Sequence, residues 1–450
     1  MKSFFDPESV AVVGASSHPG KIGYEIVKNV SRVKKTYPIN PHAKEILGIP
    51  CYPSILAIDE NVDLAIFALS PEYILDTIEE CGKKGIKGMV VVSGGFREAG
   101  KKELEKKMVE KAQEYGIRII GPNCIGIFNA KNKFNTFFQT SVELPSSGNV
   151  AILTQSGTFG IGLLEELANA FIGVSKFVSY GNKADVNEID MLEYLKHDDE
   201  TKFIAMYIEG IKNGREFFKK VKETQKPVII LKAGKTALGI KAASLHTGAL
   251  ATNYEIFRGA SHQYGAILAD DFEEFIAIIQ ILATQPLPKG GKIGMVTNGA
   301  GPCVMAADYI HTSPYLHLPS LKLDASSFPP FTILSNPIDL TGSATAEHFI
   351  EALKELGKST DVDIILPFFV FQDAPLASSV HIFYDVIKEI QECEKTMVGI
   401  AIGGKFTQEQ RKELARRGIP LFKEPRVVIG ALEKIVRYSA WRRKHEDSSS

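Results

Sequence analysis

The sequence predicts an α/β protein built on parallel sheets, and three observations predict it. Short apolar runs alternate with amphipathic stretches almost throughout, which is the pattern of βαβ units. A glycine-bearing turn joins the first apolar run to the first helical pattern. Two later stretches also repeat one another in order. The length of 450 residues agrees, since about 150 residues per domain suggests three domains.

In the first block, strands are expected at 10–14, 64–69, 89–93 and 117–121, with helices at 20–31, 72–84 and 101–115 between them. Residues 141–149, Ser-Val-Glu-Leu-Pro-Ser-Ser-Gly-Asn, break the pattern and read as a linker. A second break, Gln-Pro-Leu-Pro-Lys-Gly-Gly, occupies 285–291. The expected domains are therefore 1–140, 148–284 and 291–444, followed by a polar tail.

The second and third blocks align on four matches. Gly148-Asn-Val-Ala-Ile-Leu-Thr-Gln-Ser-Gly lies on Gly291-Lys-Ile-Gly-Met-Val-Thr-Asn-Gly-Ala, and Asn182-Lys-Ala-Asp-Val lies on Asn336-Pro-Ile-Asp-Leu. The strands 204–209 and 228–235 match 364–369 and 398–405. Four matches in one order imply a duplicated flavodoxin-like unit. Glu209 and His246 have no evident counterpart in the second copy, so the copies are expected to play unequal parts.

Composition excludes several classes. Hydrophobic residues are 44% and charged residues 23%, ordinary for a folded globular chain. Lys and Arg number 52 against 53 Asp and Glu, a balance that argues against a broad nucleic-acid footprint. No apolar run approaches the roughly 20 residues of a membrane helix. The opening Met-Lys-Ser-Phe-Phe-Asp-Pro-Glu meets acid too early for a secretory segment. Five cysteines without a Cys-x-x-Cys pair form neither a disulfide framework nor a zinc site. A cytoplasmic protein with no metal site of its own is expected.

The first motif is Gly14-Ala-Ser16-Ser17-His18-Pro19-Gly20-Lys21-Ile-Gly23. A glycine turn between strand and helix lets backbone N–H groups meet a phosphate. The dinucleotide fingerprint fails, because Ser16 stands where its second glycine belongs and no acid follows about 20 residues later. Two readings stand: a nucleotide-like ligand other than NAD, or a turn that serves only helix–sheet packing. Ala233-Gly-Lys-Thr236 imitates the end of a P-loop, but Ile229 occupies the position of its first glycine and no helix signal follows directly.

Thr154-Gln155-Ser156-Gly157-Thr158 follows a strand and opens a helix. With Ser156 as N-cap, free amides and the helix dipole favour an anion there. Asn298-Gly299-Ala300-Gly301 is the corresponding turn of the third block, and two such turns suit one small dianion; either can also be an ordinary capped helix. His246 lies in Ala-Ser-Leu-His-Thr-Gly, a small polar stretch expected to form a loop. A neutral imidazole is a competent nucleophile toward phosphorus. Glu209 can fix its tautomer and support the imidazolium that develops. In Gly121-Pro-Asn123-Cys124, Asn123 is placed to stabilise an oxyanion, whereas Cys124 reads as a small buried hydrophobe.

Taken together, the 14–20 turn, Gly121-Pro-Asn-Cys124, Gln155-Ser-Gly-Thr158, Glu209 and Ser244-Leu-His-Thr-Gly248 resemble the α chain of the nucleoside-diphosphate-forming acyl-CoA synthetases. Succinyl-CoA synthetase belongs to this superfamily. The attached third block makes the α subunit of archaeal-type ADP-forming acetyl-CoA synthetase the closer likeness. The resemblance implies a Rossmann-like CoA-binding domain followed by two flavodoxin-like, succinyl-CoA synthetase-like domains. It implies the reaction acyl-CoA + ADP + phosphate ⇌ acid + CoA + ATP, through an acyl phosphate and a phosphohistidine at His246. By the same resemblance, coenzyme A lies on Gly14, Ser16, Ser17, His18, Pro19, Gly20 and Lys21, with Lys44, Val92, Ser93 and Gly94 as further contributors. In succinyl-CoA synthetase a glutamate stands where this chain has Gly94. The ATP-grasp domain is expected on a separate β subunit that binds ADP or ATP with Mg, in an α2β2 heterotetramer. The rival classes are a non-catalytic CoA-binding regulator and an NAD-dependent oxidoreductase.

Overall fold

The computed structural model describes residues 1–247, 253–392 and 394–446. Its contacts divide the chain into two compact units, Met1–Ala266 and Ile267–Ser450.

The first unit holds two sheets. Sheet one contains β1 (Ser9–Val13), β2 (Lys35–Ile39), β3 (Leu64–Phe67), β4 (Gly88–Val91) and β5 (Arg118–Ile120), all parallel, in the order β2-β1-β3-β4-β5. Strands covered on both faces need apolar residues at every position, not at alternate ones. Ser9-Val-Ala-Val-Val and Leu64-Ala-Ile-Phe are accordingly buried throughout. Helices Ile22–Val30, Ile74–Lys84 and Lys102–Glu114 connect the strands, each a few residues inside its expected span. Gly85, left-handed at φ 82°, ends the second of these as a C-terminal glycine does.

Sheet two departs from the expected block boundaries. Its parallel part is β8 (Ser147–Thr154), β9 (Val174–Ser179), β10 (Phe203–Ile208) and β11 (Val228–Lys232). The antiparallel strands β6 (Ile127–Asn129) and β7 (Phe134–Asn135) extend it beyond β9. At the opposite edge lies Ala266–Ala269, the strand in which the division between units falls. Residues 127–135 thus leave sheet one, and the stretch read as a linker is already strand from Ser147. Apolar residues on β6 fill the edge of sheet two: Phe128, Phe137 and Phe177 stand in contact, with ring centroids 5.4–6.2 Å apart.

In the second unit β12 (Ile293–Thr297), β13 (Ile338–Asp339), β14 (Ile364–Phe369), β15 (Gly399–Ala401) and β16 (Leu421–Phe422) lie parallel in the order β13-β12-β14-β15-β16. This repeats the order of the parallel part of sheet two. Three of the four sequence matches fall on equivalent strands, two of them one residue out of register, since the ladders set Tyr207 at the place of Phe368 and Lys232 at that of Ala401. The Asn182 match does not: Asn182 follows β9, whereas Asn336 precedes β13 and is tied to Ile293 and Met295.

Gly23 is the tightest joint of the first βα unit. A Cβ there would lie 2.0 Å from the Gly14 carbonyl oxygen, a backbone atom that cannot yield without moving β1. We predict that Gly23→Ala destabilises the chain by about 1–3 kcal/mol through overpacking. Urea unfolding checks this, and an unchanged midpoint would refute it.

Candidate functional site

Parallel strands deliver their carboxyl ends to one edge, where open α/β sheets place ligands. At this edge of sheet one the turn after β1 presents Ser17, His18, Pro19, Gly20 and Lys21 to solvent, with Ser16 half-buried. The Ser16 hydroxyl accepts from the His18 amide at 3.1 Å, and the Glu25 carboxylate accepts from the Gly20 amide at 3.0 Å. Where a dinucleotide fold would put its ribose acid, the Asn40 side chain donates to the Ala15 carbonyl at 2.8 Å. That amide is spent on bracing the turn. Lys44 is exposed beyond β2, and Val92, Ser93 and Gly94 leave the end of β4.

The turn after β5 crosses from sheet one to sheet two and carries Asn123, exposed and left-handed at φ 57°. Its amide donates to the Ser93 carbonyl at 2.9 Å. The crossing depends on Gly181, whose Cβ would lie 2.0 Å from the Asn123 carbonyl oxygen. Behind Gly94 stands Glu98: its carboxylate oxygen lies 3.2 Å from where a Cβ on Gly94 would be, and it accepts from the Phe96 amide. The other Glu98 oxygen accepts from Asn182. Burial pushes this carboxyl up, but the Asn182 and backbone donors outweigh it and hold it below its ordinary value.

A cavity of about 320 Å³ opens between these turns. Asn123, Val92, Ile125, Phe138 and Gln139 line it from one side, and Gln155, Ser156, Gly157 and Thr158 from the other. The helix Gly157–Asn169 starts there, with the Ser156 hydroxyl accepting from the Phe159 amide at 3.4 Å. N–H groups of a first helical turn have no intrahelical partner and suit an anion. Gln155 is a brace and not only a lining residue. Its buried carbonyl oxygen accepts from the amides of Glu209 at 2.5 Å and Gly210 at 3.0 Å.

Both carbonyls of that two-residue turn are bound as well. The Lys232 ammonium donates to the Glu209 carbonyl at 2.8 Å and to Ala233, and the Lys183 ammonium donates to Gly210. Lys183 also meets both oxygens of the buried Glu188 at 3.0 Å. Burial lowers both ammoniums, Lys232 to about 8 against the upward pull of the Glu209 charge. Burial, the Glu209 charge and a hydrogen bond to Glu209 push the Tyr207 hydroxyl up to about 12. Its ring stacks on Phe159 at 4.1 Å, joining the glutamate to the helix that opens at the cavity.

His246 falls within the helix Ala237–Thr247, not a loop. Thr236 caps this helix, its hydroxyl accepting from Gly239 and its carbonyl from Ile240. Ala and Leu then favour helix strongly. No apolar stripe announces its first turns: Ala237, Leu238, Lys241 and Ala242 are exposed, Leu238 at 83%. A helix therefore does follow Ala233-Gly-Lys-Thr236. The P-loop still fails, since Ile229 is a buried strand residue. The helix backbone lies against the Arg97–Ala99 turn beside Glu98. The side chain of His246, and Gly248 after it, lie outside the described residues.

The second unit repeats the bracing but not the charges. Thr154 donates to the Ser156 carbonyl at 2.8 Å, and Thr297 donates to Gly299 at 2.9 Å. The Asn298 side chain accepts from the Val370 amide and donates to the Val370 carbonyl and Asp373. Val370 thus occupies the place of Glu209. The Asn298 amide is committed to this turn, while Ala300 and Gly301 are exposed where the helix Gly301–Thr312 starts. Tyr207, Lys183, Lys232, Phe138 and Gln139 were not foreseen. No group of three or more possible metal ligands occurs among the described residues, nor does a helix long and apolar enough to cross a membrane.

Comparison with known proteins agrees with this layout. A CoA binding domain family matches residues 8–130, and the succinyl-CoA ligase like flavodoxin domain family matches 147–282. Acetate–CoA ligase [ADP-forming] II subunit alpha of Pyrococcus furiosus is 38% identical, over 96% of this chain and 97% of its own. Acetate–CoA ligase [ADP-forming] I of Archaeoglobus fulgidus is 39% identical over 98% of this chain, which spans 64% of that longer protein. The structure of dinucleotide forming acetyl-coenzyme A synthetase 1 of Ca. Korarchaeum cryptofilum, in complex with phosphate and ADP, superposes with a TM-score of 0.91. It is 32% identical and covers 100% of this chain and 99% of its own.

Cys124, though it borders the cavity, is buried, with its Sγ 3.3 Å from the Val91 carbonyl, and burial pushes its thiol up to about 12. We predict that iodoacetamide at pH 8 leaves Cys124 unmodified in the native chain and alkylates it after unfolding. Peptide mass spectrometry checks this, and native labelling would refute the inert reading.

Proposed function

This chain belongs to the family of ADP-forming acetate–CoA ligases, as a chain of the α-subunit type, and we propose that it carries out their acyl-CoA chemistry through a phosphohistidine at His246. The full reaction is acyl-CoA + ADP + phosphate ⇌ acid + CoA + ATP. The observation that supports this most directly is the cavity shared by the CoA-side turns, with Val92 and Asn123, and the helix N-terminus at Ser156–Thr158.

CoA binds along the carboxyl edge of sheet one, on Gly14 and Ser16–Lys21, with Lys44 and Val92–Gly94 beside it. Its thioester then enters the cavity. Phosphate, held by the amides of Gly157 and Thr158, attacks the thioester carbonyl. The C–S bond breaks, CoA leaves as thiolate, and an acyl phosphate remains. Asn123 supports the oxyanion of that step. An imidazole nitrogen of His246 then attacks phosphorus, and the P–O bond to the acyl group breaks to release the carboxylate. Glu209 accepts the N–H on the far side of the ring and supports the imidazolium. We keep Asn298–Gly301 as a proposed phosphate contact through its backbone.

Transfer to ADP requires an ATP-grasp domain. We infer that a β subunit supplies it with ADP and Mg, in an α2β2 assembly in the cytoplasm. The Archaeoglobus relative, of which this chain spans 64%, is long enough to hold more than this chain does.

The test is labelling of the chain, with the ATP-grasp partner present, by acetyl-CoA and radiolabelled phosphate. Label stable to alkali and lost in acid is expected on the wild type and absent from His246→Ala. Label that persists in that variant would sink the assignment. Glu209→Gln is expected to slow labelling roughly 10²–10⁴-fold, the usual span for losing a positioned acid–base partner. An undiminished rate would remove Glu209 from the mechanism.

A further inference from the structure

Lys232 is a buried cation for which neither the fold nor the proposed reaction accounts. It is the last residue of β11, 2% accessible, and pairs across the ladder with Ile208 at the end of β10. A buried ammonium has lost its hydration, which costs several kcal/mol unless the site repays it. Here three groups from different elements face it. The Glu209 carbonyl leaves the end of β10, the Ala233 carbonyl begins the connection to the His246 helix, and the Phe257 ring belongs to the next helix, 5.9 Å from Nζ. The Glu209 charge also acts on it.

The duplicated unit supplies an internal control. Register places Phe369 opposite Ala401, as Ile208 stands opposite Lys232. Ala401 is buried too, and the next residue on the neighbouring strand is Val370 in place of Glu209. The turn there still forms and is braced by Asn298. A strand end of this architecture therefore needs no ammonium. The lysine occurs in the copy that has the glutamate, and an alanine stands in the copy that lacks it.

We propose that Lys232 is a positioning residue for phosphoryl transfer, tying the turn that carries Glu209 to the start of the helix that carries His246. This rests on the phosphohistidine reading above. The ammonium sets the reach of the carboxylate and the root of the helix from one point, through the Glu209 and Ala233 carbonyls. Lys232 touches no reacting atom.

The test uses the full chain with its ATP-grasp partner, acetyl-CoA and radiolabelled phosphate, and the variants Lys232→Met, Glu209→Gln and their double. Lys232→Met is expected to lower the maximal rate of phosphoenzyme formation about 10- to 100-fold, as misplacement of a catalytic group does. KM for acetyl-CoA and for phosphate should stay unchanged. In the Glu209→Gln background the same substitution should cost clearly less than in the wild type, because the two side chains are coupled through one turn. A wild-type rate, a loss confined to KM, or losses that multiply in the double variant would each overturn the proposal. If Lys232→Met does not fold, Lys232→Gln replaces it; its amide can still donate to one carbonyl, and the same outcomes are read. Hydrogen exchange separates this proposal from the phosphohistidine reading. Even if the wild type takes no label, loss of Lys232 should speed amide exchange at 208–211 and 233–240 by about 10-fold or more. Unchanged protection there would overturn the tie.

Discussion

The site depends on a two-residue turn, Glu209–Gly210, whose four backbone groups are all bound by side chains. Gln155 accepts from both amides, and Lys232 and Lys183 donate to the two carbonyls. Hydrogen bonds to charged groups contribute about 1.5–3 kcal/mol each, so the two ammoniums hold this turn more firmly than neutral partners would. Gln155 belongs to the strand-to-helix turn at the cavity, and Lys232 to the strand that leads to the His246 helix. Through Gln155 and Lys232, the position of one glutamate is coupled to the strand-to-helix turn at the cavity and to the start of the helix that carries His246.

The cavity itself is a consequence of chain crossing. Sheet one ends at Ile120, and within seven residues the chain has begun the first of the two antiparallel strands of sheet two. The turn between them can pass only because Gly181 has no side chain where the Asn123 carbonyl approaches. That crossing places Asn123, which leaves the CoA-side sheet, opposite the helix N-terminus at Ser156, which belongs to the other sheet. On the proposed reaction, a thioester carried on sheet one and a phosphate held at sheet two meet at this cavity.

Much of this layout was legible because parallel strands buried on both faces read as unbroken apolar runs, and turns between them read as glycine and small polar residues. The motif residues Asn123, Gln155–Thr158 and Glu209 stood out for that reason. The His246 segment reads as loop from sequence because the exposed residues at the start of its helix leave no apolar stripe; the Thr236 cap followed by alanine and leucine is the available signal. The crossing of 127–135 to the second sheet was invisible, since pairing partners leave no mark on a three-residue strand. Lys232 and Lys183 were invisible too. A lysine at a strand end reads as solvated, and only the structure shows its carbonyl partners.

The two copies of the flavodoxin-like unit separate what the architecture needs from what the chemistry needs. Both keep the threonine hydroxyl that closes the turn after the first strand, and both keep an amide side chain that braces the turn after the third. Those bonds recur with Gln155 or Asn298, so they belong to the fold. Glu209 and Lys232 give way to Val370 and Ala401, and the second unit stands without them. An uncharged turn is also the cheaper one, because no ammonium has to be desolvated. On the proposed reaction, the first copy bears that cost at the strand end where an imidazole is to be held, oriented and matched by a negative charge, and a carboxylate fixed by its own backbone can do all three.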